Sequence, residues 1–389
     1  MRGLTFVNAD MGPRLPSTLR IEGSRIASIG AQAVPRDRVV DLDGDRLLPG
    51  LINAHDHLQL NSFPTPHYGR KYRNAGEWIA DLNSRFLNES AFVACKAIPR
   101  DARLLHGGIK NLLSGVTTVV HHDPLYPVLT STGYPTQVLD RYGWSHSLEI
   151  DGPQKVQAAH RHTPAGWPWI IHAAEGVDAP AAAELDRLDA LGCLGPNTLL
   201  VHGVALDRNG RAKVERAAAG LVWCPSSNLR LFDATAEVTD LAHRGRVALG
   251  TDSRLSGARD LLDELRVAAE LGVLDEPLLQ SLVTDSSARL LRLTDRGALR
   301  PGARADLVVF PANTPLTQAA RKDVRLVVSG GSVRCGDPDY ASQLMAESRS
   351  VAVRVDGRNK CIASEVDVVM SDPHWACLEP GVEVLGRAA

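Results

Sequence analysis

The sequence predicts an α/β protein, namely a (β/α)8 TIM barrel with a small composite β-sandwich domain formed by both chain ends. Two observations predict the barrel. Short apolar runs alternate with helical patterns over roughly 250 residues, the usual length of such a barrel. Several of these runs end in a residue of metal-ligand or acid–base type, and catalytic groups of these barrels lie at the carboxyl ends of the strands. We expect residues 49–299 to form the barrel, residues 1–48 to begin the composite β domain, and residues 300–389 to complete it and add a C-terminal extension.

The first predicted barrel strand, residues 48–54, opens with a Pro-Gly turn and leads into His55-Asp56-His57. In an extended strand, residues two apart point to the same side, so both imidazoles can bind one metal ion. Histidine is the commonest metal ligand near neutral pH. The motif by itself fits two surface histidines in a loop equally well, so its interpretation depends on the rest of the chain.

Four later apolar runs follow the same pattern. Continuous runs of this kind are typical of strands buried on both faces of a parallel sheet. Helical patterns, such as residues 182–191 and 261–271, lie between them. The runs and the polar residues after them are 116–120 before His121 and His122, 169–171 before His172 and Glu175, 199–201 before His202, and 247–251 before Asp252.

The two chain ends predict strands that would pair with each other. Residues 18–30 are typical of a β-hairpin, and residues 304–310 and 324–328 are typical of strands. Neither end has enough apolar residues to fold well alone, so we expect them to form one small sheet or sandwich. Residues 351–355 and 366–369 could add strands within the C-terminal extension.

Composition excludes several classes of function. A formal net charge of −2, from 43 basic and 45 acidic residues, gives no indication of binding to nucleic acid or to an anionic membrane. Six scattered cysteines form no Cys-x-x-Cys pair, which argues against a thiolate zinc site and suits a reducing compartment. The amino terminus has no long apolar segment. We expect a soluble, cytoplasmic protein, with a homodimer as the default oligomeric state.

Taken in order, these motifs resemble those of the amidohydrolase superfamily. The residues that carry the resemblance are Pro49 to His57, His172, His202, Gly250-Thr251-Asp252, and the segment from Arg300 to Val308. The chain looks most like the mononuclear-metal branch that contains guanine, S-adenosylhomocysteine and cytosine deaminases and the triazine hydrolases. The resemblance runs to about residue 332. It implies a metal-bearing barrel with a composite β domain.

The donor set predicts one divalent metal ion. A catalytic metal needs a few protein ligands and a position left for water, and nitrogen and carboxylate donors suit zinc or ferrous iron. That set is His55, His57, His172 and Asp252. We expect Zn²⁺, with Fe²⁺ or Mn²⁺ as alternatives.

A single metal is favoured because two-metal relatives carry a modified lysine at the end of the fourth strand. We place that position at residues 119–123, where there is no lysine. His121 or His122 could be a further metal ligand or a substrate contact. A hydrogen-bonded histidine near a strand end is an equally good interpretation of each.

The resemblance also implies catalytic roles. Glu175 would carry protons to a ring nitrogen and to the leaving amine, although a glutamate that merely begins a helix is the alternative. Asp252 would accept the proton of the attacking water. His202, at the end of the sixth strand, would orient that water or stabilise the charge that develops.

Substrate contacts are the least defined part of the prediction. Residues 58–85 form a long segment that could cover the pocket, with Trp78 inside it. Asn228 and Arg230 follow the predicted seventh strand in a Cys-Pro-x-Ser-Asn-like segment, and Ser253 directly follows Asp252.

Three functions remain open from sequence. The first is a deaminase that releases ammonia from an amino-substituted N-heterocycle. The second is hydrolysis of a cyclic amide, an imidazolone-type C–N bond or a carbon–halogen bond by the same site. The third is a binding scaffold without activity, which the complete set of ligands and acid–base groups argues against.

Overall fold

The computed structural model describes residues 3–345, 350–364 and 379–387 of the chain. Its strands are β1 (Leu4–Val7), β2 (Leu19–Glu22), β3 (Arg25–Ile29), β4 (Arg38–Asp41), β5 (Arg46–Pro49), β6 (Leu51–Asp56), β7 (Val116–His121), β8 (Gln137–Val138), β9 (Gly143–Ser145), β10 (Trp169–Ala173), β11 (Thr198–His202), β12 (Gly220–Trp223), β13 (Val247–Leu249), β14 (Leu307–Phe310), β15 (Leu326–Ser329), β16 (Ser332–Gly336), β17 (Ser350–Val355), β18 (Arg358–Ala363) and β19 (Val382–Arg387). Its α-helices are α1 (Ala75–Asn88), α2 (Ser90–Ala97), α3 (Arg100–Leu113), α4 (Leu148–Asp151), α5 (Pro153–His162), α6 (Ala179–Ala190), α7 (Arg208–Arg216), α8 (Pro225–Phe232), α9 (Thr239–His243), α10 (Leu261–Glu270), α11 (Glu276–Leu282), α12 (Asp285–Leu290) and α13 (Pro338–Leu344). Among these residues, no helix is both long enough and apolar enough to cross a membrane.

The strands β6 to β13 form two parallel sheets, ordered β6-β7-β8 and β13-β12-β11-β10-β9. An isolated parallel bridge between Asp56 and Asp252 connects the end of β6 with the residues after β13. This arrangement is a TIM-barrel-like α/β fold. No ladder joins β8 to β9 within the described ranges, so full closure of the ring stays a prediction.

Buried apolar residues explain why these segments are strands. Every residue of β6, β7, β10 and β11 is buried. Burial on both faces requires nearly continuous apolar residues, because helices cover one side of the sheet and neighbouring strands fill the other. Trp169 and Trp223, both fully buried, belong to one core cluster with residues of the surrounding helices.

Helix caps set where the predicted helices begin. Asp178 caps α6 by accepting a hydrogen bond from the amide of Ala181, and a proline lies in the first turn. The helix predicted over residues 182–191 therefore begins at Ala179. Asp260 caps α10 in the same way and confirms the helix predicted from residue 261.

The chain ends form two further sheets, where the sequence predicts one small sheet or sandwich. The hairpin of β2 and β3 belongs to a four-stranded sheet ordered β3-β2-β1-β4. A seven-stranded sheet, ordered β19-β17-β18-β16-β15-β14-β5, pairs the N-terminal strand β5 antiparallel with β14. One apolar cluster contains residues of both sheets, including Phe6, Ile21, Leu47 and Val309. The division into domains and their packing as a sandwich stay predictions.

Two sequence assignments are changed by the structure. Residues 126–148, which gave no clear pattern, contain the short strands β8 and β9. The strand that ends at His121 is therefore the second of the eight, and the fourth is β9, which leads into His146.

The strand predicted over residues 351–355 is confirmed as part of β17, and β18 and β19 extend the same sheet. The strand predicted over residues 366–369 lies outside the described residues.

Candidate metal centre

The strand ends bring the predicted metal ligands together in a buried cluster. One group of ligand atoms, from His55, His57 and His172, lies within 4.8 Å of one another, and a second, from His55, His202 and Asp252, does so too. All five residues are buried. The four predicted ligands come from the first, fifth and eighth strands, as expected for a site at the carboxyl end of a barrel.

Hydrogen bonds hold two of the imidazoles with their Nε2 lone pairs facing inward. The Nδ1 of His57 lies 2.9 Å from Oδ2 of Asp123, and the Nδ1 of His172 lies 2.8 Å from the carbonyl oxygen of His146. Because a carboxylate and a carbonyl only accept, each Nδ1 donates, and Nε2 carries the lone pair when the ring is neutral. The two Nε2 atoms lie 3.3 Å apart. Metal-ligating histidines are commonly held in this way.

A third imidazole is oriented through another histidine. His122 donates from Nε2 to the carbonyl oxygen of Ser145 at 2.9 Å, and its Nδ1 lies 3.3 Å from Nδ1 of His55. Burial lowers the pKa of His122 well below its ordinary value, so this ring is neutral and its Nδ1 accepts. His55 must then donate from Nδ1. Its buried Nε2 has no hydrogen-bond partner among the described residues, as expected of an atom that could bind a metal ion.

The electrostatic field of the cluster favours a positive charge. Burial opposes ionisation of His57, but its hydrogen bond to Asp123 and the nearby carboxylates raise the pKa of His57 to about 9. Burial likewise opposes ionisation of Asp252, yet His55 and the other imidazoles around it hold the pKa of that carboxyl well below its usual range. A proton on His57 would supply the positive charge in the metal-free protein, and a metal ion would displace it.

The Asp252 carboxylate is held by two hydroxyl groups and by its backbone. Ser227 donates to its Oδ2 at 2.7 Å, and Ser256 donates to the same atom. The other oxygen, Oδ1, lies 3.6 Å from Nε2 of His55 and 3.7 Å from Nε2 of His57. Asp252 has φ of 56°, a left-handed conformation that a non-glycine residue keeps only when its surroundings fix it. The donor set fits a divalent metal with nitrogen and oxygen ligands.

Glu175 lies beside this cluster and shares a contact with His202. Oε1 of Glu175 is 3.5 Å from Nε2 of His202. Burial, together with the nearby carboxylates of Asp252 and Glu184, raises the pKa of Glu175 well above its ordinary value. His202 donates from Nδ1 to Oδ1 of Asn228 at 2.9 Å, which leaves Nε2 to face Glu175. Glu175 therefore holds a proton more readily than an ordinary glutamate and lies next to the predicted metal ligands.

A cavity of about 560 Å³ opens onto Glu175 and His172. Its other lining groups include Asn74, Glu149 and Arg187. This volume is within the range that small-molecule sites occupy.

The remaining predicted site residues are placed as follows. Both ring nitrogens of His122 are engaged, and His121 is fully buried, with its Nδ1 accepting from the amide of Leu58. Trp78 donates to the hydroxyl of Tyr68 at 3.2 Å. Arg230 donates to the carbonyl oxygen of Gly257 at 2.7 Å. Ser253 is buried, and its hydroxyl has no hydrogen-bond partner within the part of the chain that the structure describes.

Sequence reasoning missed Asp123, His146, Ser227 and Ser256. Asp123 and Ser227 stand inside segments that the sequence singled out, so a search for carboxylate or hydroxyl partners of the ligands would have found them. His146 follows a strand of only three residues and contributes its backbone carbonyl. Ser256 lies in the loop after Asp252, and no sequence signal indicates its contact.

Comparisons with known proteins agree with this architecture. A family model described as the Amidohydrolase family matches residues 158–334. A 5-methylthioadenosine/S-adenosylhomocysteine deaminase from Natronomonas pharaonis is 30% identical over 384 residues, covering 80% of this chain and 86% of the relative. An 8-oxoguanine deaminase from Pseudomonas aeruginosa is 33% identical over 167 residues, which cover 38% of this chain and only 37% of that protein.

A solved structure shows the same fold. The atrazine chlorohydrolase of Arthrobacter aurescens, solved in complex with zinc, superimposes with a TM-score of 0.69 and 18% identity, covering 85% of this chain and 94% of the other. The parallel strands and the cluster of histidines and aspartate at their ends are those of a hydrolase of the metal-dependent, TIM-barrel-like class. The chain belongs to the amidohydrolase family, and the predicted resemblance is confirmed.

Proposed function

We propose that this protein is a metal-dependent deaminase that hydrolyses an amino-substituted N-heterocycle and releases ammonia. The observation that carries the proposal is Glu175, a buried carboxyl group with a raised pKa that lies 3.5 Å from His202 and borders the cavity. Hydrolytic deamination needs a proton donor at this place, because both the ring nitrogen and the leaving amine must be protonated. The curated relatives named above as deaminases support the same reaction.

His55, His57, His172 and Asp252 would hold one divalent ion, with zinc proposed first because a structure of the same fold was solved with zinc. Ferrous iron and Mn²⁺ remain alternatives that the same donors accept. When bound, the metal supplies activation of a water molecule at neutral pH. The side chains described below perform the remaining tasks.

Asp252 accepts the proton of the attacking water, since its carboxylate is ionised and fixed by Ser227 and Ser256. Glu175 donates its proton to the ring nitrogen next to the attacked carbon. The water oxygen forms a bond to that carbon, and the amine receives the proton that Asp252 took from the water. The carbon–amine bond then breaks, and the remaining hydroxyl proton returns to Glu175. Ammonia leaves, and the ring carbon becomes a carbonyl. His202 faces Glu175 and orients the attacking water, because its Nε2 carries a lone pair that can accept a hydrogen bond.

A screen for ammonia release tests this function. Purines, pyrimidines, pterins, triazines and cyclic amides are incubated with the zinc-loaded wild type and with Glu175→Gln. The expected result is ammonia from an aminated ring with the wild type and a large loss with the variant. Turnover of a cyclic amide or a halogenated ring without ammonia, little affected by Glu175→Gln, would replace this function by the second sequence hypothesis.

A further inference from the structure

A buried ion pair lies behind the candidate metal centre. Nζ of Lys110, on α3, is 3.2 Å from Oδ2 of Asp56, and the side chains of both residues are fully buried. The same ammonium group donates to Oδ1 of Asn61 at 2.9 Å and to Oγ1 of Thr251 at 3.2 Å. A lysine has three protons, so these acceptors use all of them.

The Asp56 carboxylate is equally well satisfied. Its Oδ1 accepts from Asn61 at 2.7 Å, and its Oδ2 accepts from Asn111 at 2.8 Å and from Asn53 at 3.3 Å besides Lys110. Asn53 also donates to Oγ1 of Thr251 at 2.9 Å. A buried polar network in which every member is paired is rigid, whereas one that loses a member leaves a costly unpaired charge.

The position of this network in the chain connects it with the ligands. Asp56 stands between His55 and His57, and Thr251 directly precedes Asp252. The metal ligands of the first and eighth strands thus meet where β6 and the end of β13 are joined by one bridge and a few backbone hydrogen bonds. Lys110 contacts residues on both sides of this junction. The backbone of Asp252 is in a left-handed conformation there, and a non-glycine residue keeps that conformation only when neighbouring contacts hold it.

We propose that Lys110 is a positioning residue for the metal centre, holding Asp56 and Thr251 together so that the ligands of the first and eighth strands face one ion. The lysine itself does not touch the metal or the substrate. The inference rests on the metal centre proposed above. Zinc binding by the wild type is therefore measured first, because its absence would refute that centre rather than the role of Lys110.

The test is zinc affinity of the metal-free, folded protein, determined by competition with a chromogenic chelator, together with the melting temperature. Lys110→Met keeps the length of the side chain and removes its charge. We expect zinc affinity to fall by about 10- to 100-fold, the usual effect of losing a group that orients metal ligands. Thr251→Val, which is nearly isosteric and removes one acceptor, is expected to lower zinc affinity in the same direction by a smaller factor.

Lys360 provides a matched control. This lysine is also buried and lies on β18 of the seven-stranded sheet, away from the metal centre. It pairs with Asp337 and donates to the carbonyl oxygens of Lys322 and Val324. Lys360→Met is expected to lower the melting temperature without changing zinc affinity. Thr117→Val controls for Thr251→Val. The Thr117 hydroxyl is buried near the start of β7 and has no hydrogen-bond partner among the described residues.

The variants separate a positioning role from a merely structural one. If Lys110→Met folds and binds zinc as tightly as the wild type does, the proposal is overturned, even if the melting temperature falls. If Lys110→Met does not fold, Thr251→Val provides the test instead. A zinc affinity of Thr251→Val equal to that of Thr117→Val would then overturn the proposal.

Discussion

The Nε2 atoms of His57 and His172 lie 3.3 Å apart, although neighbouring acceptors hold the Nδ1 of each ring. Two neutral rings fixed in this way point lone pairs at each other, which is unfavourable unless a cation lies between them. The raised pKa of His57, which the Asp123 hydrogen bond sustains against burial, indicates the same preference for a positive charge. These two rings therefore belong to the predicted metal site.

Replacing His172 should abolish tight metal binding. His172→Asn keeps a polar side chain but removes the imidazole lone pair, so zinc affinity should fall by more than about 100-fold, beyond the effect of losing an outer hydrogen-bond partner. Metal analysis after dialysis measures it. His243→Asn, at an exposed position at the end of α9, should retain wild-type zinc content. Equal zinc content in both variants would contradict the assignment of His172.

Asp123 should increase the zinc affinity of the predicted metal site without itself binding the ion. Asp123→Asn keeps the shape but loses the charge that orients His57 and favours its donating Nδ1. Zinc affinity should fall by about 10- to 100-fold while the fold is retained. Competition titration measures the change, and Asp140→Asn, on an exposed residue, is the control. An unchanged affinity would mean that His57 needs no such partner.

Glu175 should act on kcat and leave metal binding intact. Glu175→Gln removes the proton donor while its amide can still occupy the space beside His202, so kcat should fall by about 10²- to 10⁴-fold, the usual contribution of general acid–base catalysis. Zinc content should stay at the wild-type value. Steady-state ammonia release measures kcat, with Glu215→Gln on the surface helix α7 as the control. A variant with full activity would exclude Glu175 as the proton donor.

Asn228 should influence the reaction through His202. Its Oδ1 accepts from Nδ1 of His202, and its own amide donates to Thr235 at 3.2 Å. Asn228→Leu removes both hydrogen bonds. Loss of the one to His202, worth about 1 kcal/mol, should lower kcat by roughly five- to tenfold. The control is Asn88→Leu at the exposed end of α1. An increase in KM alone, with kcat unchanged, would indicate that Asn228 contacts the substrate instead.

The C-terminal extension should contribute stability through Glu379. This fully buried carboxylate contacts His106, Arg254 and Arg321. Glu379→Gln leaves buried positive charge without its partner and should lower the free energy of unfolding by about 3 kcal/mol at neutral pH. Chemical denaturation measures the loss. Glu383→Gln, in the exposed pair with Arg354, should change stability by less than about 0.5 kcal/mol.

The pH dependence of this loss has a definite sign. Burial opposes ionisation of Glu379, but Arg254, His106 and Arg321 hold its pKa well below the ordinary value. A depressed pKa gives stability that is present above the unfolded-state pKa of about 4.3 and is lost as the pH falls below it. The difference between wild type and Glu379→Gln should therefore shrink below about pH 4. A difference that grows on acidification would contradict the ion cluster.

Much of the fold follows from the sequence because its strongest signals are local. The apolar runs before His121, His172, His202 and Asp252 predict strands that the structure confirms, since burial on both faces leaves little freedom in composition. The hairpin of β2 and β3 is predicted for the same reason. The strands β8 and β9, with two and three residues, carry too few apolar residues to be recognised.

The sequence does not show which buried polar side chains pair with each other, because the two members of a pair come from distant parts of the chain. Asp123 reaches His57 across 66 positions, and Glu379 reaches Arg254 across 125. Such contacts depend on how the strands and the C-terminal extension pack, and no local pattern encodes that packing. Lys110 illustrates the same limit, since on sequence alone it is one more basic residue on an amphipathic helix.

We propose that His55, His57, His172 and Asp252 hold one ion and that ammonia release depends on this ion. Stepwise addition of zinc to the metal-free protein, with the rate of ammonia release from an aminated heterocycle recorded at each step, tests it most directly. We expect no release at zero zinc and a linear rise to a plateau at one zinc per chain. Full ammonia release from the metal-free protein would contradict it.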